Sequence, residues 1–271
     1  MKEQDTKPVA VIVGAGSKYT QDSDINSDTQ KVPATMRWGL GGALSQRFAK
    51  DYTVVLMGRR EEKMAELVTE IESQGGRAIA VACDVTDTSA VRTAFDRARL
   101  SGDIEVLVYN AAPPYPPGVT FDRMPLPHEV PVEHLQFGFD VGVTGCLRCV
   151  QEVIKPMQEA GRGTILLTGA TQALRGAASF ASMSPIKFAL RSLGQSLFQA
   201  YAPQGIHVAH VVIDGPIDSP GIRTQLTGQD TAFLDPGEIA DAYVMLANQP
   251  RSCWSYELQL TPNRGAPGMR L

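Results

Sequence analysis

The chain lacks the features of a membrane protein, a disulfide-stapled secreted protein and a nucleic-acid-binding protein. Its apolar runs are the length of strands and fall short of the ~20 residues that a membrane helix needs. Its 4 cysteines follow no disulfide spacing, which is typical of a reducing compartment. A formal net charge of −4 provides no basic excess for binding nucleic acid. We therefore expect neither a membrane span nor a nucleic-acid partner.

Targeting signals are also absent from the start of the sequence. Residues 1–5 are polar, with neither the apolar centre of a signal peptide nor the Arg/Ser-rich composition of a transit peptide. This favours an intracellular protein of the cytoplasm, and an organelle matrix stays open as the alternative.

The sequence does have a regular alternation of short β-branched runs with amphipathic segments of helical length. Such alternation predicts a parallel sheet with helices on both faces. Hydrophobic residues make up 43% of the 271 residues, and no repeat or composition break marks a second domain. The predicted strands are 8–13, 53–57, 78–83, 105–109, 164–168, 207–213 and 257–260, and the predicted helices are 39–50, 61–74, 88–100, 131–159, 182–201 and 236–247. We expect one α/β domain over residues 1–271.

Two segments fit no regular element and are predicted to be loops. Residues 17–37 are polar, and residues 112–127 contain six prolines, which lack a backbone donor and fix φ. The first segment splits a glycine-rich turn, because Gly14-Ala15-Gly16 is separated from Gly39-Leu40-Gly41 by a long polar stretch. Glycines in such a turn let the backbone approach a pyrophosphate at a helix N-terminus.

Three further motifs follow predicted strands: Cys83-Asp84-Val85, Asn110-Ala111-Ala112 and residues 214–219. In this order, and together with the glycines, they resemble the short-chain dehydrogenase/reductase family over nearly the whole chain. The resemblance implies a Rossmann-type doubly wound sheet that binds a nicotinamide dinucleotide. It implies cofactor contacts at Gly14, Gly16, Gly39, Leu40, Gly41, Arg59, Asp84, Val85, Asn110, Ala111, Lys187, Gly215, Ile217 and Ser219.

The stretch Met57-Gly58-Arg59-Arg60 bears on the choice of dinucleotide. Family members that prefer NAD place an acidic residue at the position of Gly58, where it binds the ribose 2′-hydroxyl. The guanidinium of Arg59 favours a 2′-phosphate, and hence NADP(H) over NAD(H). The alternative is that Arg59 and Arg60 form a solvated helix start.

The catalytic positions depart from the family pattern of tyrosine, lysine, serine and asparagine. Lys187 is present, but Met183, Ala170 and Gly142 occupy the positions of the tyrosine, the serine and the asparagine. Met183 cannot be a general acid because a thioether has no exchangeable proton. The remaining catalytic candidates are Lys187, which the resemblance places at the nicotinamide ribose, and Thr171, which could orient a substrate oxygen.

Two alternatives to these assignments stay open. A loop residue could replace the missing proton donor, because Tyr115, Tyr19 and Lys18 follow the carboxyl ends of strands, where ligands bind in open parallel sheets. Lys187 could instead be a helix-surface lysine of no consequence. No metal site is predicted, since Cys146 and Cys149 have no further ligand cluster and are expected to pack in the core.

The helices predicted at 131–159 and 182–201 pack against a second subunit in relatives. The second helix has an apolar surface wider than one core-facing stripe, formed by Phe188, Leu190, Leu193, Leu197 and Phe198. This favours a homodimer, a tetramer or a place in a larger complex, whereas burial against the sheet is the simpler alternative.

Two functions are compatible with these residues. One is an NADP(H)-binding oxidoreductase that acts on a carbonyl or alcohol with an atypical active site. The other is a catalytically silent subunit with a structural or regulatory role. The segment 17–37 is either a plain loop, a lid over the cofactor or a docking arm for a partner, and Gly39-Leu40-Gly41 is expected to start a helix after it.

Overall fold

Seven parallel strands form one sheet in the order β3-β2-β1-β4-β5-β6-β7. The computed structural model describes residues 7–16, 34–115, 119, 123–226 and 232–264. The strands are β1 Val9–Val13, β2 Thr53–Gly58, β3 Arg77–Ala82, β4 Ile104–Tyr109, β5 Gly163–Thr168, β6 Ile206–Ile213 and β7 Glu257–Leu260. The order reverses between β1 and β4, which creates a crevice at the carboxyl ends of these strands. The predicted Rossmann-type α/β fold with seven strands is confirmed.

Helices cover both faces of this sheet. They are α1 Ala34–Arg37, α2 Gly39–Phe48, α3 Glu62–Ser73, α4 Thr88–Arg99, α5 Val132–Phe139, α6 Gly145–Ala160, α7 Ser184–Tyr201, α8 Pro220–Gln225 and α9 Pro236–Ala247. One core joins the sheet to α4, α6 and α7, and the other joins it to α2, α3 and α9. In β1, Val11 faces the first core and Ile12 the second, because side chains alternate along a strand. No helix among the described residues is long and apolar enough to cross a membrane.

The prediction of an irregular segment over 17–37 is wrong for its last four residues, which form α1. This short helix is fixed to α3 by side chains. Arg37 pairs with Glu66 at 3.0 Å, and the indole N–H of Trp38 donates to Glu70 at 2.7 Å. As predicted, α2 begins at Gly39. Residues 17–33, including Lys18 and Tyr19, lie outside the described residues, as do 116–118 and 120–122.

The prediction of one continuous helix over 131–159 is also wrong. A π-helical turn at Asp140–Thr144 separates α5 from α6. Such a turn inserts an extra residue into the helical hydrogen-bond ladder. The carbonyl of Val141 in this turn accepts a hydrogen bond from the hydroxyl of Tyr109 at the end of β4. The following helix, predicted to start at residue 182, begins at Ser184, because Met183 is its N-cap with non-helical dihedral angles.

A buried histidine connects β6 to the edge strand β7. The Nδ1 atom of His210 lies 3.0 Å from the Oε2 atom of Glu257, which also binds the guanidinium of Arg191 at 2.6 and 2.7 Å. Burial lowers the pKa of His210 to about 4, although the neighbouring carboxylate acts in the opposite direction. The ring is therefore neutral at neutral pH, and protonating it requires the folded chain to hold a buried cation.

The pKa of His210 predicts an acid-side loss of stability. The unfolded chain binds a proton near the usual value of 6.5, whereas the folded chain does so only near 4. The contribution of this group to stability is therefore complete above about pH 6.5 and is lost as the pH falls toward 4, by about 2 kcal/mol at about pH 5. Urea unfolding of the native chain and of His210→Gln measures this difference. An equal loss of stability in both chains would contradict the assignment.

Candidate functional site

A cavity of about 420 Å³ opens at the carboxyl ends of the strands. It is lined by the last residues of β1, β2, β4, β5 and β6 or by the residues that follow them, and by the starts of α2 and α7. It brings together every residue predicted to contact a cofactor: Gly14, Gly16, Gly39, Leu40, Gly41, Arg59, Asp84, Val85, Asn110, Ala111, Lys187, Gly215, Ile217 and Ser219. The contacts themselves stay predictions.

The two halves of the split glycine turn lie in contact with each other in the structure. Gly14 has φ +83°, a conformation that favours glycine, and a Cβ atom there would lie 2.7 Å from the backbone nitrogen of Ala111. A Cβ atom on Gly41 would overlap the carbonyl oxygen of Gly14. The side-chain amide of Asn110 donates to that same carbonyl oxygen at 2.9 Å. The two halves of the turn therefore meet although 24 residues separate Gly14 from Gly39.

The start of α2 has the properties of an anion site. Its N-cap residue, Trp38, makes no side-chain hydrogen bond to the first turn, and Gly39, Leu40 and Gly41 all line the cavity. Backbone N–H groups at a helix N-terminus bind phosphate through hydrogen bonds and the helix dipole. Gly39 and Gly41 are both buried, and the missing side chain of Gly41 leaves room for the carbonyl oxygen of Gly14. The N-terminus of α2 therefore fits the pyrophosphate of a dinucleotide.

Three cations line the part of the cavity next to β2. Arg59, Arg60 and Lys63 stand there beside Gly58, and no carboxylate occupies the position of Gly58. Near the end of β3, the Oδ1 atom of Asp84 accepts from the backbone N–H of Thr86 at 3.0 Å and from its hydroxyl at 2.7 Å. These contacts fix the orientation of the Asp84 carboxylate at the cavity wall.

A different set of side chains lines the cavity beyond β4. Met183, Ala170 and Thr171 all line this part, and their catalytic roles stay predictions. Lys187 is only 7% exposed and donates to the backbone carbonyl of Thr168 at 2.8 Å. The alternative of a helix-surface lysine is therefore wrong. Tyr115 also lines the cavity, so it remains the described candidate for a proton donor from a loop.

The remaining wall of this part of the cavity is mostly apolar. The side chains come from the loop after β4, from α5 and the π-helical turn, and from the segments around α7 and α8. They are Pro114, Phe137, Val141, Phe180, Met183 and Ile222, with Gln172 as a polar neighbour of Thr171. The sequence analysis did not identify these residues as a pocket, because they are distant in sequence.

Gly142 does not line the cavity, and the space beside it is filled. A Cβ atom on Gly142 would overlap the Cγ2 methyl of Ile186, and one on Gly138 would overlap the Cδ1 methyl of the same side chain. Ile186 therefore packs into a notch that the two glycines create one helical turn apart. An asparagine at position 142 is excluded by this packing as well as being absent from the sequence.

The sequence analysis also missed Asp214, which is 6% exposed at the end of β6. Its Oδ1 atom accepts a hydrogen bond from the hydroxyl of Thr171 at 2.7 Å. The only available signal was that Asp214 stands where the family pattern has proline.

Cys83 lies in the cavity wall. Burial raises the pKa of its thiol to about 11, so the thiol is neutral at neutral pH.

Comparison with known proteins assigns the chain to a family. Residues 36–229 match the family model described as short chain dehydrogenase. The chain therefore belongs to the short-chain dehydrogenase family, whose fold binds NAD(P). The match begins at residue 36, near the end of the segment that interrupts the glycine turn and before Gly39.

Individual relatives agree with this assignment. The chain is 28% identical to cis-4-hydroxycyclohexanecarboxylate dehydrogenase of Sinomonas cyclohexanicum, over 79% of this chain and 87% of the relative. A short-chain dehydrogenase from Rhodopseudomonas palustris superimposes with a TM-score of 0.72 at 28% identity, covering 94% of this chain and 98% of that one. A metagenomic short-chain oxidoreductase in complex with NADP superimposes with a TM-score of 0.71 at 21% identity, covering 94% and 97%.

The notch around Ile186 gives a prediction about stability. Replacing Gly142 with alanine forces a methyl group against Cγ2 of Ile186, and such overpacking costs about 1–3 kcal/mol. Ile186→Leu removes the methyl at that branch and should restore part of the loss in the double variant. Gly176→Ala is the matched control, since nothing lies within 4 Å of a Cβ atom there. Chemical denaturation of the four variants measures the coupling, and additive effects at 142 and 186 would contradict the packing.

Proposed function

We propose that the protein is an NADP(H)-dependent oxidoreductase that interconverts a secondary alcohol and a ketone on an apolar ring. The observation that supports this function most strongly is the single cavity that gathers all the predicted cofactor residues. A bound nicotinamide would accept a hydride from the alcohol carbon or supply one to the ketone carbon. The chain provides the binding surface, the orientation of the reacting oxygen and an environment that excludes water.

The cations beside β2 support NADP(H) as the dinucleotide. Arg59, Arg60 and Lys63 surround the space next to Gly58, where a carboxylate would repel a 2′-phosphate. Arginine binds phosphate through two parallel hydrogen bonds, and Arg59 and Arg60 are exposed beside this space. The structural relative in complex with NADP shares the fold. We therefore propose that the 2′-phosphate binds at these cations.

The apolar wall supports a ring as the substrate. Phe137, Phe180, Met183 and Ile222 provide contact area without charge, and apolar burial gains about 25 cal/mol per Å². The Sinomonas relative is named for a dehydrogenase of a hydroxycyclohexane carboxylate, in which the reacting carbon belongs to a ring. We propose a neutral ring alcohol for this chain.

The buried lysine is proposed to hold the dinucleotide rather than to activate a tyrosine. The ammonium of Lys187 donates to the carbonyl of Thr168, and an ammonium group is a donor that suits the hydroxyl groups of a ribose. Met183 occupies the tyrosine position and contributes only apolar contact. Thr171 is the polar group that we assign to the substrate oxygen.

The second candidate function is a nucleotide-binding subunit without turnover. It is favoured by one specific observation, the loss of three of the four family catalytic groups at Met183, Ala170 and Gly142, with Ile186 filling the space of the third. In this case the cavity would retain the dinucleotide for a structural or regulatory purpose.

We also propose that the face formed by α5, α6 and α7 joins subunits. Phe137, Leu147 and Phe188 on these helices are 38%, 38% and 41% exposed, although large apolar side chains are usually buried. A homodimer or tetramer, or a contact inside a larger complex, would cover them. Leu193 and Phe198 are partly buried against the core. We therefore attribute the wide apolar surface of α7 in part to burial inside the subunit and in part to a contact between subunits.

Nucleotide binding is the first test. NADPH should bind more tightly than NADH, and Arg59→Ala should weaken NADPH binding about tenfold while changing NADH binding less than about twofold, because only NADPH carries the 2′-phosphate. Arg92→Ala, on the exposed side of α4, is the matched control. Fluorescence titration or calorimetry measures these affinities. Equal affinities for both nucleotides in the native protein would contradict the NADP(H) assignment.

Turnover distinguishes the two candidate functions. The native protein with NADP⁺ should oxidise cyclic secondary alcohols such as cyclohexanol, and with NADPH it should reduce the matching ketones, followed by absorbance of the reduced nicotinamide. Tight nucleotide binding without turnover over a panel of ring and open-chain substrates would favour the silent subunit. In that case, activity created by Ala170→Ser with Met183→Tyr would show that only the catalytic groups were missing.

A further inference from the structure

Asp214 is a buried carboxylate that contacts Thr171 in the cavity wall. It follows β6 directly and is 6% exposed. Its Oδ1 atom accepts from the hydroxyl of Thr171 at 2.7 Å, and its Oδ2 atom accepts from the side-chain amide of Gln259 at 2.8 Å and from the hydroxyl of Thr261 at 3.3 Å. Gln259 lies on β7 and Thr261 just after it, so the carboxylate is held from the neighbouring strand.

The hydrogen bond to Asp214 determines what Thr171 can offer to a ligand. A threonine hydroxyl has one proton and two lone pairs, whereas a carboxylate only accepts hydrogen bonds. Because the proton of Thr171 is donated to Asp214, its oxygen has only lone pairs left for the cavity that it lines. An oxygen in this state accepts from a hydroxyl but has no proton for a ketone. The position is therefore selective for hydrogen-bond donors.

We propose that Asp214 fixes Thr171 as a hydrogen-bond acceptor, so that the site binds the hydroxyl of an alcohol in preference to a ketone and withdraws its proton during oxidation. This inference rests on the proposed oxidoreductase function and deepens it. Thr171 is the catalytic residue in this arrangement, because it would touch the reacting oxygen. Asp214 is the positioning residue, which acts through Thr171.

The proton and electron balance is complete for alcohol oxidation. The substrate hydroxyl gives its proton to the oxygen of Thr171, while the proton of Thr171 passes to Oδ1 of Asp214. The carbinol carbon loses a hydride, which reduces the oxidised nicotinamide dinucleotide that serves as the oxidant, and the carbon–oxygen bond becomes a double bond. No proton acceptor is needed at the position of Met183. General-base assistance of this kind accelerates reactions by roughly 10²–10⁴-fold.

Binding of an isosteric pair tests the preference without any turnover. Cyclohexanol and cyclohexanone have similar rings, but the alcohol can donate a hydrogen bond whereas the ketone can only accept one. Ligand-observed NMR measures their affinity for the cofactor-free protein. The native protein should favour the alcohol by roughly fivefold or more, as one hydrogen bond to an oriented acceptor provides. Thr171→Val should remove the preference, and Thr171→Ser should retain it. Equal affinities, or a preference for the ketone in the native protein, would overturn the proposal.

Kinetics with NADP⁺ and cyclohexanol tests the proton path. Asp214→Asn keeps a side chain of the same size but cannot take the proton, so kcat should fall about 100-fold, the KM for cyclohexanol should change less than about threefold, and the acid-side fall of kcat with pH should disappear. Glu257→Gln is the matched control, because it neutralises a carboxylate on β7 that does not line the cavity. An unchanged kcat and pH profile in Asp214→Asn would overturn the proposal.

Two further outcomes separate this inference from the proposed function. If the native protein binds NADPH but does not oxidise the alcohol, the proton path is wrong and nucleotide binding stands. If Tyr115→Phe abolishes turnover while Asp214→Asn leaves it intact, the oxidoreductase function stands and Tyr115 is the proton-transfer group instead. Failure to bind NADPH overturns both. Thermal unfolding of each variant confirms that it is folded, and the Thr171→Ser and Thr171→Val pair keeps the test decisive if Asp214→Asn is unstable.

Discussion

At the carboxyl ends of β1 and β4, the side-chain amide of Asn110 donates a hydrogen bond to the carbonyl oxygen of Gly14 at 2.9 Å. The same carbonyl lies so close to Gly41 that no side chain fits between them. β1, the end of β4 and the start of α2 therefore meet at one point, where a side chain on Gly14 or on Gly41 would overlap backbone atoms. The cavity depends on this closure, because the approach fixes the N-terminus of α2 beside the strand ends. The 24 residues between Gly14 and Gly39 leave this geometry intact.

The regular parts of the fold could be predicted from the sequence, because they follow from local patterns. β1 is an unbroken apolar run because both of its faces are buried, and Gly39 begins α2 as its position after the polar stretch indicates. The parts that could not be predicted depend on contacts between distant residues. α1 exists where Arg37 and Trp38 reach α3, and the π-helical turn accompanies the hydrogen bond from Tyr109 to Val141. Neither contact has a signal in local sequence.

The candidate site likewise has features that could be predicted from the sequence and features that could not. The residues that are predicted to contact a cofactor could be identified because most of them belong to motifs that follow strands, and Lys187 because of its position in the family pattern. The role of Asp214 was not predictable, because it depends on Thr171, 43 residues earlier in the chain. The replacement of the family catalytic groups is also more than a loss of side chains. Ile186 fills the place beside Gly142, Met183 extends the apolar wall, and a carboxylate stands where the family pattern has proline. Among the predicted catalytic candidates, the polar side chains are those of Thr171 and Lys187.

The most direct test of the account is a crystal structure of the protein grown with NADP⁺. The account predicts that the pyrophosphate lies at the start of α2 between Gly14 and Gly41, that the 2′-phosphate contacts Arg59, and that Lys187 reaches the nicotinamide ribose. Electron density for another part of the chain in the pyrophosphate position, or a 2′-phosphate that faces away from Arg59, would contradict it.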